Sequence, residues 1–205
     1  EDQVKLRAVA LSCIRSIQSD PASLRNYQAL YTVCQNMDNG RDKWEATDAL
    51  KKACAERIRG PVEDREEIGR IFRGTLLLEA QGLRFDSYMQ YIELNREPEK
   101  RFWIPRREQL MPVCQAMQRL IDDELDILSI SLPPGTGKST LEIFLHSMSI
   151  GAFGDQPSLV SGHSGTLTNS IYTGVLSIIT DKDEYLWRGV FPNARGVITN
   201  AKKNT

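Results

Sequence analysis

At 205 residues, the chain is 40% hydrophobic and 26% charged, the make-up of an ordinary globular protein. No apolar run reaches the length that spans a bilayer, and no N-terminal stretch has the basic, apolar, then small-residue order of a signal peptide. Lysine plus arginine number 26 against 27 acidic residues, a net charge of -1, which excludes the basic surplus of a permanently nucleic-acid-bound protein and leaves only local or transient contact with DNA.

The chain reads as two unlike parts. Residues 1 to about 95 show helical periodicity and almost no strand signal. Leu6, Ala10, Cys13 and Ile17 share one helical face, and Asp20-Pro21 breaks it. Leu24, Tyr27, Tyr31 and Cys34 form the next stripe, which Asn39-Gly40 ends in a turn. Trp44, Thr47, Leu50, Cys54 and Ile58 repeat the spacing up to Gly60-Pro61. A fourth helix is predicted from Glu63 to Gln81, with Ile68, Ile71, Phe72, Thr75 and Leu76 inward. These stripes read as core packing. The four cysteines, Cys13, Cys34, Cys54 and Cys114, form no C-x-x-C pair and are expected as buried free thiols in a reducing cytoplasm.

From about Pro98 the character changes. Arg106 to Ile121 reads as a helix, Asp126 to Leu132 as an apolar strand, and Lys138 to Ile150 as a helix. Leu159 to Ser161 reads as a second strand, Thr166 to Thr180 as a helix and Gly196 to Thr199 as a third strand. Strands alternating with helices predict an α/β P-loop NTPase core, a parallel sheet with helical crossovers, preceded by an all-α N-terminal region. The expected divisions are a helical region at 1–60, a helical linker or lid at 61–97, and the P-loop domain at 98–205.

The run Ser131-Leu132-Pro133-Pro134-Gly135-Thr136-Gly137-Lys138-Ser139-Thr140 carries the chemistry. It matches the trailing G-K-S of G-x-x-x-x-G-K-[ST], with Leu132 in place of the leading glycine. In such a loop Pro134, Gly135, Thr136, Gly137, Lys138, Ser139 and Thr140 wrap the phosphates of ATP, with successive backbone N–H groups around the β-phosphate. Lys138 supplies a point charge to the β- and γ-phosphates and is the expected catalytic side chain, and the Ser139 hydroxyl is a ligand for Mg²⁺. Against the competing reading, a Pro-Gly turn that happens to precede Lys-Ser, stands the expected setting of the motif: an apolar strand that runs directly into the loop and a helix that starts at Lys138.

Gln109 offers a donor and an acceptor to the edge of adenine, and a nearby arginine or aromatic plane, Arg106 among them, stacks on the base. Against this stands an exposed glutamine at a helix start. Arg96, Lys100, Arg101, Arg106 and Arg107, with Phe102 and Trp103, resemble a nucleic-acid patch diluted by Glu97, Glu99 and Glu108. Ser161-Gly162-His163-Ser164 reads either as a ligand-touching loop or as a helix N-cap by Ser164, and His146 reads as structural. No apolar strand ending in paired acids follows Thr140, since Asp181-Lys182-Asp183-Glu184 ends a helix. The acidic Walker-B strand is therefore expected beyond Thr205.

From about Leu83 onward the sequence resembles the ATPase domain of the large subunit of tailed-phage terminase. The matching stretches are Phe85-Asp86-Ser87-Tyr88 with Tyr91-Ile92-Glu93, Pro98-Glu99-Lys100-Arg101-Phe102, Ile130 through Thr140, Ser161-Gly162-His163-Ser164, and Tyr185-Leu186-Trp187 with Phe191-Pro192. The resemblance covers somewhat more than half of the chain. It implies an ATPase that drives double-stranded DNA through the portal protein into a procapsid in the host bacterial cytoplasm, as a homo-oligomeric ring with the small terminase subunit and away from any membrane. It also implies a nuclease domain beyond Thr205. By position, Lys138 and Ser139 would hold ATP and Mg²⁺, and Gln109 would lie near adenine. Many relatives have arginine where this sequence has Gly135, so any γ-phosphate role of that arginine falls elsewhere. The alternatives are a AAA-type ATPase, which suits Pro-Pro-Gly-Thr-Gly-Lys-Ser, and a helical interaction module with a non-hydrolysing nucleotide site.

Overall fold

The computed structural model describes residues 2–60, 63–154, 156 and 158–194. The chain forms two compact units, 1–91 and 92–205, each of which is taken by itself.

The first unit is built from α1 (Asp2–Ser19), α2 (Leu24–Asn36), α3 (Arg41–Arg59), α4 (Arg65–Gln81) and α5 (Phe85–Ile92, whose last residue belongs to the second unit). The helices start and stop at the predicted breaks because Pro21, Gly40 and Gly60 stand between them. Ala10, Ile17, Tyr27, Leu30, Cys34, Leu50, Cys54, Ile68 and Ile71 pack into one core, so α4 closes over the same apolar centre as α1 to α3. A polar network is buried beside it. Lys51 Nζ donates to Glu79 Oε2 at 2.5 Å and to Ser87 Oγ at 3.2 Å, and Ser87 Oγ donates to the same carboxylate. Asp48 completes the cluster 3.0 Å from Lys51.

The second unit contains a 3₁₀ turn at Pro98–Lys100, then α6 (Trp103–Ile121), α7 (Lys138–Ala152), α8 (Gly165–Thr180) and the short α9 (Trp187–Val190). α7 packs along α8, and Trp187 Nε1 donates to the Ser147 carbonyl at 2.9 Å, fastening α9 to α7. Glu93, a buried carboxylate, accepts the N–H groups of Phe102 and Trp103 at 2.8 and 2.9 Å. It thereby satisfies the amides at the start of α6 from a residue well upstream. Arg96 bridges Glu93 and Glu184 at 3.0 and 2.9 Å, and Leu186 N–H donates to the Ile92 carbonyl at 3.0 Å.

The predicted parallel sheet is not formed. Among the described residues every regular element is a helix, and the fold is all-helical. Asp126 to Leu132 and Leu159 to Ser161 are irregular, and the third predicted strand, Gly196 to Thr199, lies outside the described residues. A short apolar run is a weak signal, because a strand exists only where a neighbouring strand takes up its N–H and C=O groups. Neither run has such a neighbour among the described residues, and Ile127 and Leu159 stand 85% and 90% exposed.

Candidate nucleotide site

The loop from Pro133 to Gly137 bends through two glycines in left-handed backbone, Gly135 at φ +79° and Gly137 at φ +100°. That region suits glycine because a Cβ there crowds the following carbonyl. Thr136 Oγ1 donates to the Pro133 carbonyl at 2.8 Å and tightens the turn. The exposed Lys138 folds its ammonium back over the loop, where Nζ donates to the Leu132 carbonyl at 2.6 Å.

α7 begins at Lys138, with Gly137 as its N-cap. Glycine brings no side chain to the first-turn amides, which have no intrahelical acceptor at any helix start. α8 differs: Ser164 Oγ accepts from Leu167 N–H at 3.3 Å, so Ser164 caps its own helix. The exposed Ser139 sits in the uncapped first turn of α7, with Thr140 half-buried beside it.

Phe102 joins the start of α6 to this loop. Its ring lies where a side chain at position 137 would stand, with a Cβ built on Gly137 only 2.5 Å from Phe102 Cε2. The ring also stacks on Phe144 of α7 at 5.7 Å between centroids. The Arg106 guanidinium covers the Phe102 ring at 5.1 Å, with Nη1 donating to the Phe102 carbonyl at 3.2 Å. Arg106 is thus drawn towards the loop through Phe102. Gln109, three residues on, is exposed and is not part of the wall of the cavity beside Lys138.

That cavity, about 390 Å³, opens among α6, residues 128–130 and α7. Its wall is apolar except for Lys138, Ser139, Glu142 and His146. Ser139, Glu142 and His146 fall at i, i+3 and i+7 of one helix and so share a face, a spacing that places Glu142 beside the loop without any motif to mark it. Glu142 Oε1 lies 3.7 Å from His146 Nε2.

The basic cluster expected as a possible nucleic-acid patch is engaged internally. Arg96 and Lys100 pair with Glu93, Glu184 and Glu97, and Arg101 donates to the carbonyls of Arg96 and Leu94. Phe102 and Trp103 are buried.

The donor set fits a Mg²⁺-bound polyphosphate in kind. It offers open backbone at Gly135, uncapped helix amides, an ammonium and a hydroxyl. No group of three or more His, Cys, Asp and Glu able to hold a metal by themselves occurs among the described residues, so a cation here would rely on the phosphates and water for most of its shell. No helix of the described residues is long and apolar enough to cross a membrane. No protein-family model, curated protein or solved structure matches the chain.

Proposed function

We propose that residues 133–140 bind ATP with Mg²⁺, and that the chain is the nucleotide-binding part of a terminase large subunit. In that role, ATP hydrolysis would drive double-stranded DNA through a portal protein into a procapsid in the host cytoplasm, within a homo-oligomeric ring that works with the small subunit. One observation carries the nucleotide reading: two left-handed glycines deliver the chain into a helix that starts on Lys138. The motor reading adds the ordered motifs from Phe85 to Pro192.

In this reading the backbone amides of Gly135 to Thr140 take the phosphate oxygens, and the dipole of α7 adds positive potential. Lys138 exchanges the Leu132 carbonyl for the β- and γ-phosphates, trading a neutral acceptor for a charged one. Ser139 gives its hydroxyl to Mg²⁺, which when bound offsets the charge that develops on the transferred phosphoryl group. Arg106, held on Phe102, presents a cation and a flat face towards the base or the phosphates.

Calorimetry of ATP·Mg²⁺ against the 205-residue chain and Lys138→Ala tests the reading. Lys138 is exposed, so the variant should keep its helical circular dichroism while its ATP affinity falls by tenfold or more, about 1.4 kcal/mol. Equal affinities would end the proposal.

The helical interaction module with a non-hydrolysing site gains from the all-helical fold of the described residues. Robust phosphate release by this chain that disappears in Lys138→Ala favours the motor enzyme, whereas binding without turnover is expected of both, since no acidic strand accompanies the loop among the described residues.

A further inference from the structure

The cavity beside Lys138 and Ser139 has ten residues in its wall, and Glu142 is its single carboxylate. Glu142 belongs to the same helix as Ser139, three residues on, which sets the two Cβ atoms roughly 5–6 Å apart on one face. A glutamate at that spacing can bring its carboxylate to a water on a cation held at the Ser139 hydroxyl. Mg²⁺ suits such an arrangement, because it keeps several of its waters and takes only one or two protein ligands besides substrate phosphates.

His146 supplies the other half of the geometry. One turn further along α7, its Nε2 faces Glu142 Oε1 at 3.7 Å. Its side chain is only 22% exposed, against 43% for Glu142, so the imidazole is the better anchored of the pair. Both side chains belong to the wall of the cavity, the imidazole beside the carboxylate. Such outer-shell partners fix the orientation of groups around a metal.

We propose that Glu142 is a positioning residue for Mg²⁺: its carboxylate accepts a hydrogen bond from a water on the cation held at Ser139, and His146 orients that carboxylate. The proposal rests on the phosphate-loop reading of residues 133–140. It also means that the chain's own α7 contributes negative charge to the cation's surroundings, one turn from the helix end that binds the phosphates.

The test is ATP binding by calorimetry at a series of Mg²⁺ concentrations, with one arm in EDTA, for the wild-type chain, Glu142→Gln, His146→Gln and Lys138→Ala. Glu142→Gln keeps the size and shape of the side chain and removes only its charge. The Mg²⁺ concentration that gives half of the metal-dependent gain in affinity should rise about ten- to a hundredfold in Glu142→Gln, the usual cost of losing an outer-shell partner. It should rise less in His146→Gln. In EDTA, Glu142→Gln should bind ATP no more weakly than wild type, since no metal is there to lose.

An unchanged Mg²⁺ requirement in Glu142→Gln overturns the proposal, and so does an equal loss of affinity with and without metal, which would mark a residue that shapes the loop rather than the cation site. If Lys138→Ala weakens ATP binding while Glu142→Gln leaves the Mg²⁺ requirement unchanged, only Glu142 has been misassigned. If Lys138→Ala has no effect, the phosphate loop itself is misread, and this proposal fails with it.

Discussion

The ring of Phe102 occupies the space in front of the Gly137 backbone, so closely that a Cβ on residue 137 would sit 2.5 Å from Phe102 Cε2 and 2.7 Å from Cζ. Phe102 cannot easily retreat, because it is buried, stacked on Phe144 and covered by Arg106. Gly137→Ala therefore meets both backbone strain at φ +100° and a steric clash, whereas Gly135→Ala at φ +79° meets open space and strain alone. The strain is about 1 kcal/mol at each site, and overpacking adds about 1–3 kcal/mol at 137. Urea unfolding should show Gly137→Ala destabilised by clearly more than Gly135→Ala. Equal losses would mean that Phe102 does not abut the loop.

Glu93 holds Phe102 in place. Its carboxylate accepts from the Phe102 and Trp103 amides and from Arg96 Nη1, all within 3.0 Å. Removing it in Glu93→Ala strands two amides at the start of α6 and leaves the half-buried Arg96 with Glu184 and the Tyr185 ring. We expect a loss of about 3–5 kcal/mol in unfolding free energy, the scale for breaking a buried, hydrogen-bonded charge. ATP affinity should fall in parallel as Phe102 loosens. A change under 1 kcal/mol would be incompatible with these contacts.

The buried Lys51–Glu79 pair predicts a pH dependence. Burial by itself lowers the Lys51 pKa, but the carboxylates of Glu79 and Asp48 outweigh it and hold the ammonium above its usual value. A raised folded-state pKa means that the pair's contribution to stability is fully present below about pH 10.4, the unfolded value, and is lost as pH rises through the higher folded value. Denaturant midpoints should therefore show no Lys51-linked loss between pH 7 and 10 and a decline above that. Lys51→Met should abolish this alkaline component. Glu79→Ala leaves the ammonium short of a partner in a buried setting and should cost about 3–5 kcal/mol at pH 7.

Cys34 and Cys54 carry thiols that burial pushes up to about 12. Only the thiolate reacts with alkylating agents, so at pH 8 both should resist iodoacetamide in the folded protein and react at once in urea. Cys13 is half-buried and should be modified ahead of them. Mass spectrometry of the time course reads the order directly, and early labelling of Cys34 or Cys54 would contradict the packing of the first unit.

Helices α1 to α4 and α6 to α8 were legible in the sequence because their determinants are local. A helix closes its hydrogen bonds four residues back, so apolar stripes such as Leu6, Ala10, Cys13 and Ile17, with breakers at Pro21 and Gly40, carry enough information to predict it. The glycines at 135 and 137 were legible for the same reason, since the φ angle each adopts is a property of one residue. Whether Asp126 to Leu132 becomes a strand depends on a partner far away in the chain, and the structure forms none among the described residues. Contacts that join distant positions were decided only by the fold: Phe102 against Gly137, Glu93 under the start of α6, Glu79 beside Lys51 and Ser87. Ser164 was open to two readings, and its hydrogen bond to Leu167 gives it the role of helix cap. Local geometry follows from residue type and spacing, whereas these pairings follow from which apolar faces find one another and exclude water.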